Sequence, residues 1–178
     1  MPEPAAHVRP LRRGDLPRLA ELRLWYLAET ARLEPRMKLL PEARERLAAH
    51  CSVWWGDEKR ATFVVEDPAP VTPAGEEPPL VGYATGLVSV WPPIWRSQRV
   101  GEIAETFVVP DRRKRGLGRA LLAAVVEALA RHGVDVLRAP VPARNDGSLA
   151  LFRALGFDAV MRVLERAGDG VGDEPRAR

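Results

Sequence analysis

Residues 108–131 read VVPDRRKRGLGRALLAAVVEALAR. The β-branched pair at the front closes a strand that runs through GEIAETFVV (101–109), and Pro110–Asp111 makes a turn. Four basic residues follow, Arg112, Arg113, Lys114 and Arg115, then Gly116 and Gly118. A helix over about 115–131 comes next. Leu117, Leu121, Val125 and Leu129 recur every fourth residue, Leu122 and Val126 widen the stripe, and Gly133 is placed as the C-cap. The first N–H groups of a helix have no partner within it, and the aligned peptides add about half a positive charge there. Glycines let a bulky anion come close to the backbone, and Arg113, Lys114, Arg115 and Arg119 raise the local positive potential. A strand that ends in such a turn and opens a helix is an anion site.

The rest of the chain builds a layered α/β arrangement around this unit. HVRPLRRGD (7–15) reads as a short strand and turn, with Asp15 capping a helix whose first turn contains Pro17. Leucines at 16, 19, 22, 24 and 27 carry that helix to the break at Glu34–Pro35. A second helix covers 41–50, with a possible extension to Trp55, and stops at Gly56–Asp57. RATFVVED (60–67) and LVGYATGLVSVW (80–91) read as strands. The proline-rich segment 67–79 between them reads as an exposed hairpin loop. VDVLRAPVP (134–142) reads as a strand, 145–156 as a short helix, and FDAVMRVLER (157–166) as a last strand. The tail over 167–178 has nothing to bury and reads as disordered, leaving one domain over 1–166.

Composition sets outer limits. Of 178 residues, 46% are apolar and 29% charged, the balance of a soluble globular protein. No apolar run reaches the roughly 18 residues of a membrane span, and the N-terminus lacks a signal-peptide core. Cys51 is the single cysteine, which fits a reducing compartment, so a cytoplasmic location is expected. A net charge of +3 and the lack of aromatics among the basic residues argue against a nucleic-acid partner. His7, His50 and His132 are isolated, so no metal is expected. A P-loop is absent, and Gly116-Leu117-Gly118 lacks the third glycine of a dinucleotide fingerprint.

The six residues Arg113 to Gly118, after Val-Val-Pro and before a helix, resemble motif A (Q/R-x-x-G-x-G/A) of the GNAT superfamily of acetyl-CoA-dependent N-acetyltransferases. NDGSLALFRALGF (145–157) resembles the family's second motif, matching at Asn145, Leu151, Gly156 and Phe157 with Ser148 in the small-residue position. VRPLRRGDLPRLAELR (8–23) resembles the opening strand and helix, and LVGYATGLV (80–88) the third strand. The resemblance covers about 7–165. It implies a mixed sheet of about six or seven strands flanked by helices.

The resemblance also implies roles. Main-chain groups at a bulge of the fourth strand, carried over to Val108 and Val109, would meet the pantetheine arm of acetyl-CoA. Arg113, Lys114, Arg115, Gly116, Leu117, Gly118, Arg119 and Ala120 would cradle its pyrophosphate, and Asn145 would reach the cofactor as well as capping its helix. Phe152, a core residue with its edge against the pantetheine, stands where many members carry the tyrosine that protonates the departing thiolate; it has no proton to give, so another acid serves, or water does, or the thiolate leaves unprotonated. An amine acceptor must lose a proton before it attacks, and Glu105, ahead of Glu102, is the candidate base. Three positions apart, the two carboxylates face opposite sides of a regular strand unless a bulge intervenes. WPPIWR (91–96) with Trp54–Trp55 and Trp25–Tyr26 suits either an acceptor pocket or a homodimer contact, and an edge strand at the C-terminus points to a homodimer. The expected activity is N-acetylation of a primary amine. The alternative is an acyl-CoA-binding sensor without catalysis, which Phe152 favours.

Overall fold

The computed structural model describes residues 7–34, 37–67, 78–96 and 99–164. Most of the loop read over 67–79, and the tail over 167–178, lie outside them. The elements run β1 (Val8–Pro10), α1 (Leu16–Leu33), α2 (Ala43–Trp55), β2 (Arg60–Glu66), β3 (Leu80–Val90), β4 (Arg99–Val108), α3 (Leu117–Arg131), β5 (Val136–Arg138) and α4 (Asp146–Arg153). The strands form one mixed sheet in the order β1-β2-β3-β4-β5. Pairing is antiparallel from β1 to β4, and β5 runs parallel to β4.

Helices cover both faces. The stripe read from the sequence is the buried face of α3, with Leu117, Leu121, Leu122, Val125 and Leu129 all inside. It lies close to the sheet because β3 offers a glycine: a Cβ on Gly86 would sit 2.7 Å from Val125 Cγ1 and 2.9 Å from Leu129 Cδ1. Replacing Gly86 with Ala is expected to destabilise the fold by about 1–3 kcal/mol through overpacking. Urea denaturation checks this, and an unchanged midpoint would show that α3 can retreat without cost. On the other face Tyr83 is fully buried, with Tyr26 of α1 set edge-on to its ring at 6.5 Å.

Two expected strands come out differently. β5 spans only 136–138 of the 134–142 segment. Pro140 and Pro142 follow it, and a residue without an N–H cannot extend a ladder. The last strand, read over 157–166, is not formed at 157–164. Val160, Met161, Val163 and Leu164 are exposed there, because a strand needs a neighbouring edge and β5 supplies almost none. The sheet therefore has five strands among the described residues, not six or seven. The C-terminal edge strand behind the homodimer expectation is missing at 157–164.

Candidate active site

The short β5 opens the centre of the molecule. It pairs with β4 only at Val100, Gly101 and Glu102, and beyond them the two segments part. The resulting cleft is lined by β4 from Ile103 to Thr106, by Tyr26 and Thr30 of α1, by Pro140–Pro142, and by Asn145, Ser148 and Phe152 around α4. The prolines that stop the ladder are what expose the edge of β4.

That edge carries main-chain groups in a defined pattern. The Val109 N–H donates to Val81 O on β3 at 2.9 Å. In an antiparallel ladder the groups alternate sides, so those of Val108 and Thr106 turn toward the open edge. The Val108 carbonyl accepts a hydrogen bond from Arg113 Nε at 2.8 Å. Of the two valines read for this role, Val108 therefore faces the opening and Val109 is tied to β3, while Thr106 is an outward residue that sequence reading missed. The Thr106 hydroxyl is buried and has no hydrogen-bond partner. Such a group costs about 1–3 kcal/mol unless something completes it, which suits a polar ligand in the cleft.

The sheet register shifts at Thr85–Gly86, where Thr85 pairs with Glu105 and Gly86 with Ile103, so Ala104 is the bulged residue. This is five residues before Val109, not at Val108–Val109. An extra residue resets the alternation. Glu102 opposite Leu87 and Glu105 opposite Thr85 consequently share one face of the sheet. Their surroundings still separate them. Glu105 lines the cleft, its two oxygens held by Arg23 Nε and Nη2 at 3.0 and 2.9 Å, and accepts from the Tyr83 hydroxyl at 2.6 Å. Glu102 is absent from the cleft lining, and its carboxylate meets Arg138 Nε and Nη2 at 2.8 and 2.7 Å, a tie between β4 and β5.

Beneath Glu105 lies a buried cationic group. Arg23 reaches His50 Nδ1 at 3.3 Å and Cys51 Sγ at 3.6 Å, and its guanidinium carbon stands 3.7 Å from the centre of the Trp54 ring. Burial alone would lower the Arg23 pKa, but Glu105 outweighs it and the pKa rises, so the cation persists. Burial pushes the His50 pKa down, and Arg23 adds to this. Trp54 is thus a core residue, whereas Trp25, Trp55 and Trp95 are exposed.

Beyond the C-terminal end of β4, the turn before α3 is built from left-handed residues: Lys114 has φ 62° and Gly116 φ 80°. A helix cannot pass through such residues, so α3 begins at Leu117 and not at 115. The first intrahelical bond is Ala120 N–H to Gly116 O at 3.0 Å. The N–H groups of Leu117, Gly118 and Arg119 have no carbonyl partner within the helix. No atom within 4 Å meets a Cβ placed on Gly116, and only Leu151 Cδ2, at 3.6 Å, meets one on Gly118. Internal packing therefore does not require glycine at 118.

The basic run divides. Arg112 binds Asp67 and Asp111, a structural clasp. Arg113 meets both oxygens of Glu29 at 2.8 Å and so braces the turn from the side. Lys114, Arg115 and Arg119 are exposed around this turn. Asn145 caps its helix, as its capping chemistry implies: its Oδ1 accepts the Ser148 N–H at 3.0 Å, and the residue lines the cleft. Phe152 is buried, edge-on to Phe157 at 5.2 Å, and also reaches the cleft wall. Among the described residues no cluster of His, Cys, Asp and Glu could hold a metal ion, and no helix is long and apolar enough to cross a membrane.

Comparison with known proteins gives consistent matches. A family model described as Acetyltransferase (GNAT) family matches residues 21–157. The mycothiol acetyltransferase of Clavibacter michiganensis is 46% identical over 70 residues, which are 37% of this chain and 23% of that protein. The alanine N-acetyltransferase of a ribosomal protein in Escherichia coli is 43% identical over 51 residues, 29% of this chain and 34% of that one. The chain thus spans about a quarter to a third of the curated relatives it matches. Among solved structures, an aminoglycoside N-acetyltransferase in complex with CoA superimposes with a TM-score of 0.67 at 20% identity, over 94% of this chain and 98% of that one. A Bacillus halodurans protein gives 0.73 at 19% identity, over 90% and 99%. At these identities the likeness is one of fold.

Proposed function

The chain belongs to the acetyltransferase (GNAT) family, and on that premise we propose that it moves an acetyl group from acetyl-CoA directly to a primary amine. The observation that carries the proposal is the open edge of β4 leading to unpaired N–H groups at the start of α3. One end suits an extended arm with amide groups, the other a pyrophosphate. Bound acetyl-CoA supplies an acyl carbon activated as a thioester.

The chain's own residues do the rest. The N–H groups of Leu117, Gly118 and Arg119 hold the pyrophosphate, and Lys114, Arg115 and Arg119 add charge around it. Gly116 shapes the turn, while the Ala120 N–H closes the first helical bond. Each hydrogen bond to a charged oxygen contributes about 1.5–3 kcal/mol. Arg113 keeps the turn against Val108 and Glu29. The outward groups of Val108 and Thr106 pair with the arm, Val109 fixes their phase through Val81, and Asn145 and Phe152 close the opposite wall. An outward N–H on this edge polarises the acyl carbonyl as charge develops on its oxygen.

A free amine has a pKa near 10.4, so the attacking nitrogen must be relieved of a proton. We assign this to Glu105, acting through a water. A carboxylate has about four lone-pair sites, and the three bonds from Arg23 and Tyr83 leave room for one more donor. Glu102 serves the β4–β5 tie instead.

Calorimetric titration of the purified chain with CoA and acetyl-CoA, followed by a panel of primary amines assayed for released thiol, tests the reading. Saturable binding of both and amine-dependent thiol release are expected. No binding of either would overturn it. Binding without thiol release from any amine would favour the sensor reading.

A further inference from the structure

The transfer releases a thiolate, and the position from which the resemblance would protonate it is Phe152. The cleft nevertheless contains a phenol. Tyr26 lines it from α1, in the same cleft that Phe152 lines from α4. We propose that Tyr26 is the acid that gives the departing sulfur its proton, in the place left vacant by residue 152. The assignment rests on the acetyltransferase reading.

The lining leaves little choice. Ile103, Ala104, Pro140, Val141 and Pro142 have no side-chain proton to give. Thr30, Thr106 and Ser148 are aliphatic hydroxyls, which hold their protons far more tightly than a phenol, and Asn145 is a neutral amide. Two titrating groups remain, Glu105 and Tyr26. Glu105 is ion-paired to Arg23 and already accepts a hydrogen bond from Tyr83. A phenol ordinarily titrates near 10, so a tyrosine holds at neutral pH a proton that it can lend to a sulfur within hydrogen-bond reach. Burial raises the Tyr26 pKa, and the nearby charge of Glu105 raises it further, so the hydroxyl stays protonated until it is needed.

The ring is also held in place. It stands edge-on to Tyr83, whose hydroxyl is anchored on Glu105. The titratable groups facing it are Glu105 on β4, Tyr83 on β3 and Arg23 on its own helix. The β5–α4 side of the cleft presents none. In the step itself the carbon–sulfur bond breaks and its electron pair goes to sulfur. Tyr26 transfers its hydroxyl proton to that sulfur, and the tyrosinate recovers one from water. With the amine proton lost through Glu105, amine and thioester become amide and thiol.

The test needs no acceptor. A hydroxyl that serves the thiolate also donates a hydrogen bond to it in the CoA complex and lowers the pKa of the bound thiol. That pKa is read from ultraviolet thiolate absorbance as pH rises, with S-methyl-CoA as the blank. In Tyr26→Phe it is expected to lie about one unit above the wild-type value. The double variant Tyr26→Phe/Phe152→Tyr, which returns a phenol to the cleft from α4, should bring it back. CoA affinity below the thiol pKa should differ by less than about threefold between wild type and Tyr26→Phe, which separates this role from a structural one. Equal thiol pKa values in wild type and Tyr26→Phe, or no recovery in the double variant, would overturn the assignment and leave the acetyltransferase reading standing. Failure of wild type to bind CoA would remove both.

Discussion

Replacing Gly118 with Trp is expected to weaken CoA binding at least 100-fold while leaving the fold as stable as before. A helical side chain leans toward the N-terminus of its helix, so an indole at 118 lies back over the turn and across the N–H groups of Leu117, Gly118 and Arg119. Losing two charge-assisted hydrogen bonds at about 1.5–3 kcal/mol each is 10²–10⁴ in affinity. The helix itself does not suffer. Glycine is the poorest helix former after proline, and the one atom near a Cβ at 118 is Leu151 Cδ2 at 3.6 Å, an ordinary contact. Calorimetry and thermal denaturation of the same samples separate the two effects. Gly118→Ala is the graded control and should bind with an intermediate affinity. Affinity within threefold of wild type in the Trp variant would mean that the pyrophosphate lies elsewhere.

The glycine-punctuated turn and the core behind it were legible in the sequence because they are local. The stripe of α3, the glycines before it and the cap at Asn145 depend on residues within a few positions of one another, and each stands where its spacing puts it. The start of α3 was misplaced by two residues because the left-handed conformation of Lys114 is a property of the closed turn and not of lysine. The opening of the sheet was legible in principle. Pro140 and Pro142 stand in the segment read as a strand to 142, and each removes a ladder donor. Two prolines two residues apart are a stop signal for a strand, and here that stop is what exposes β4. The bulge at Ala104 had no comparable marker. It follows from the register of β3 against β4, and the sequence could pose the question of Glu102 and Glu105 without answering it.

Partners distant in sequence were the least legible part. The run Arg112–Arg115 reads as a uniform cationic patch, yet Arg112 closes on Asp67 and Arg113 on Glu29. A charge run gives the number of cations, and only the fold decides where each of them closes. The same holds for Tyr26. The pair Trp25–Tyr26 reads as aromatics of an acceptor pocket or a dimer contact, and only the fold sets Tyr26 in the cleft wall opposite Phe152 of α4.

Arg23 gives the largest expected change in stability. Its side chain is 4% exposed and that of Glu105 13%, and they share two hydrogen bonds, so the guanidinium has no water to fall back on and the carboxylate meets it only on the cleft side. Arg23→Ala leaves Glu105 with the Tyr83 hydroxyl alone and takes away the guanidinium from the Trp54 ring. Breaking a buried pair from one side costs about 3–5 kcal/mol. At about 2–4 °C per kcal/mol for a chain of this size, the melting temperature should fall by about 6–20 °C. Removing both charges is a different matter, since a buried pair contributes little net stability over apolar or neutral groups of similar volume. Arg23→Met/Glu105→Gln should therefore regain most of what either single variant loses, and the double-mutant cycle measures the coupling. The doubly substituted protein should also bind CoA, whose cradle lies beyond the C-terminal end of β4, while amine-dependent thiol release stays abolished for want of Glu105. A single Arg23 variant within about 1 kcal/mol of wild type would show that Glu105 finds water when its partner leaves. The carboxylate at the head of the cleft would then be set by solvent and not by the buried cation beneath it.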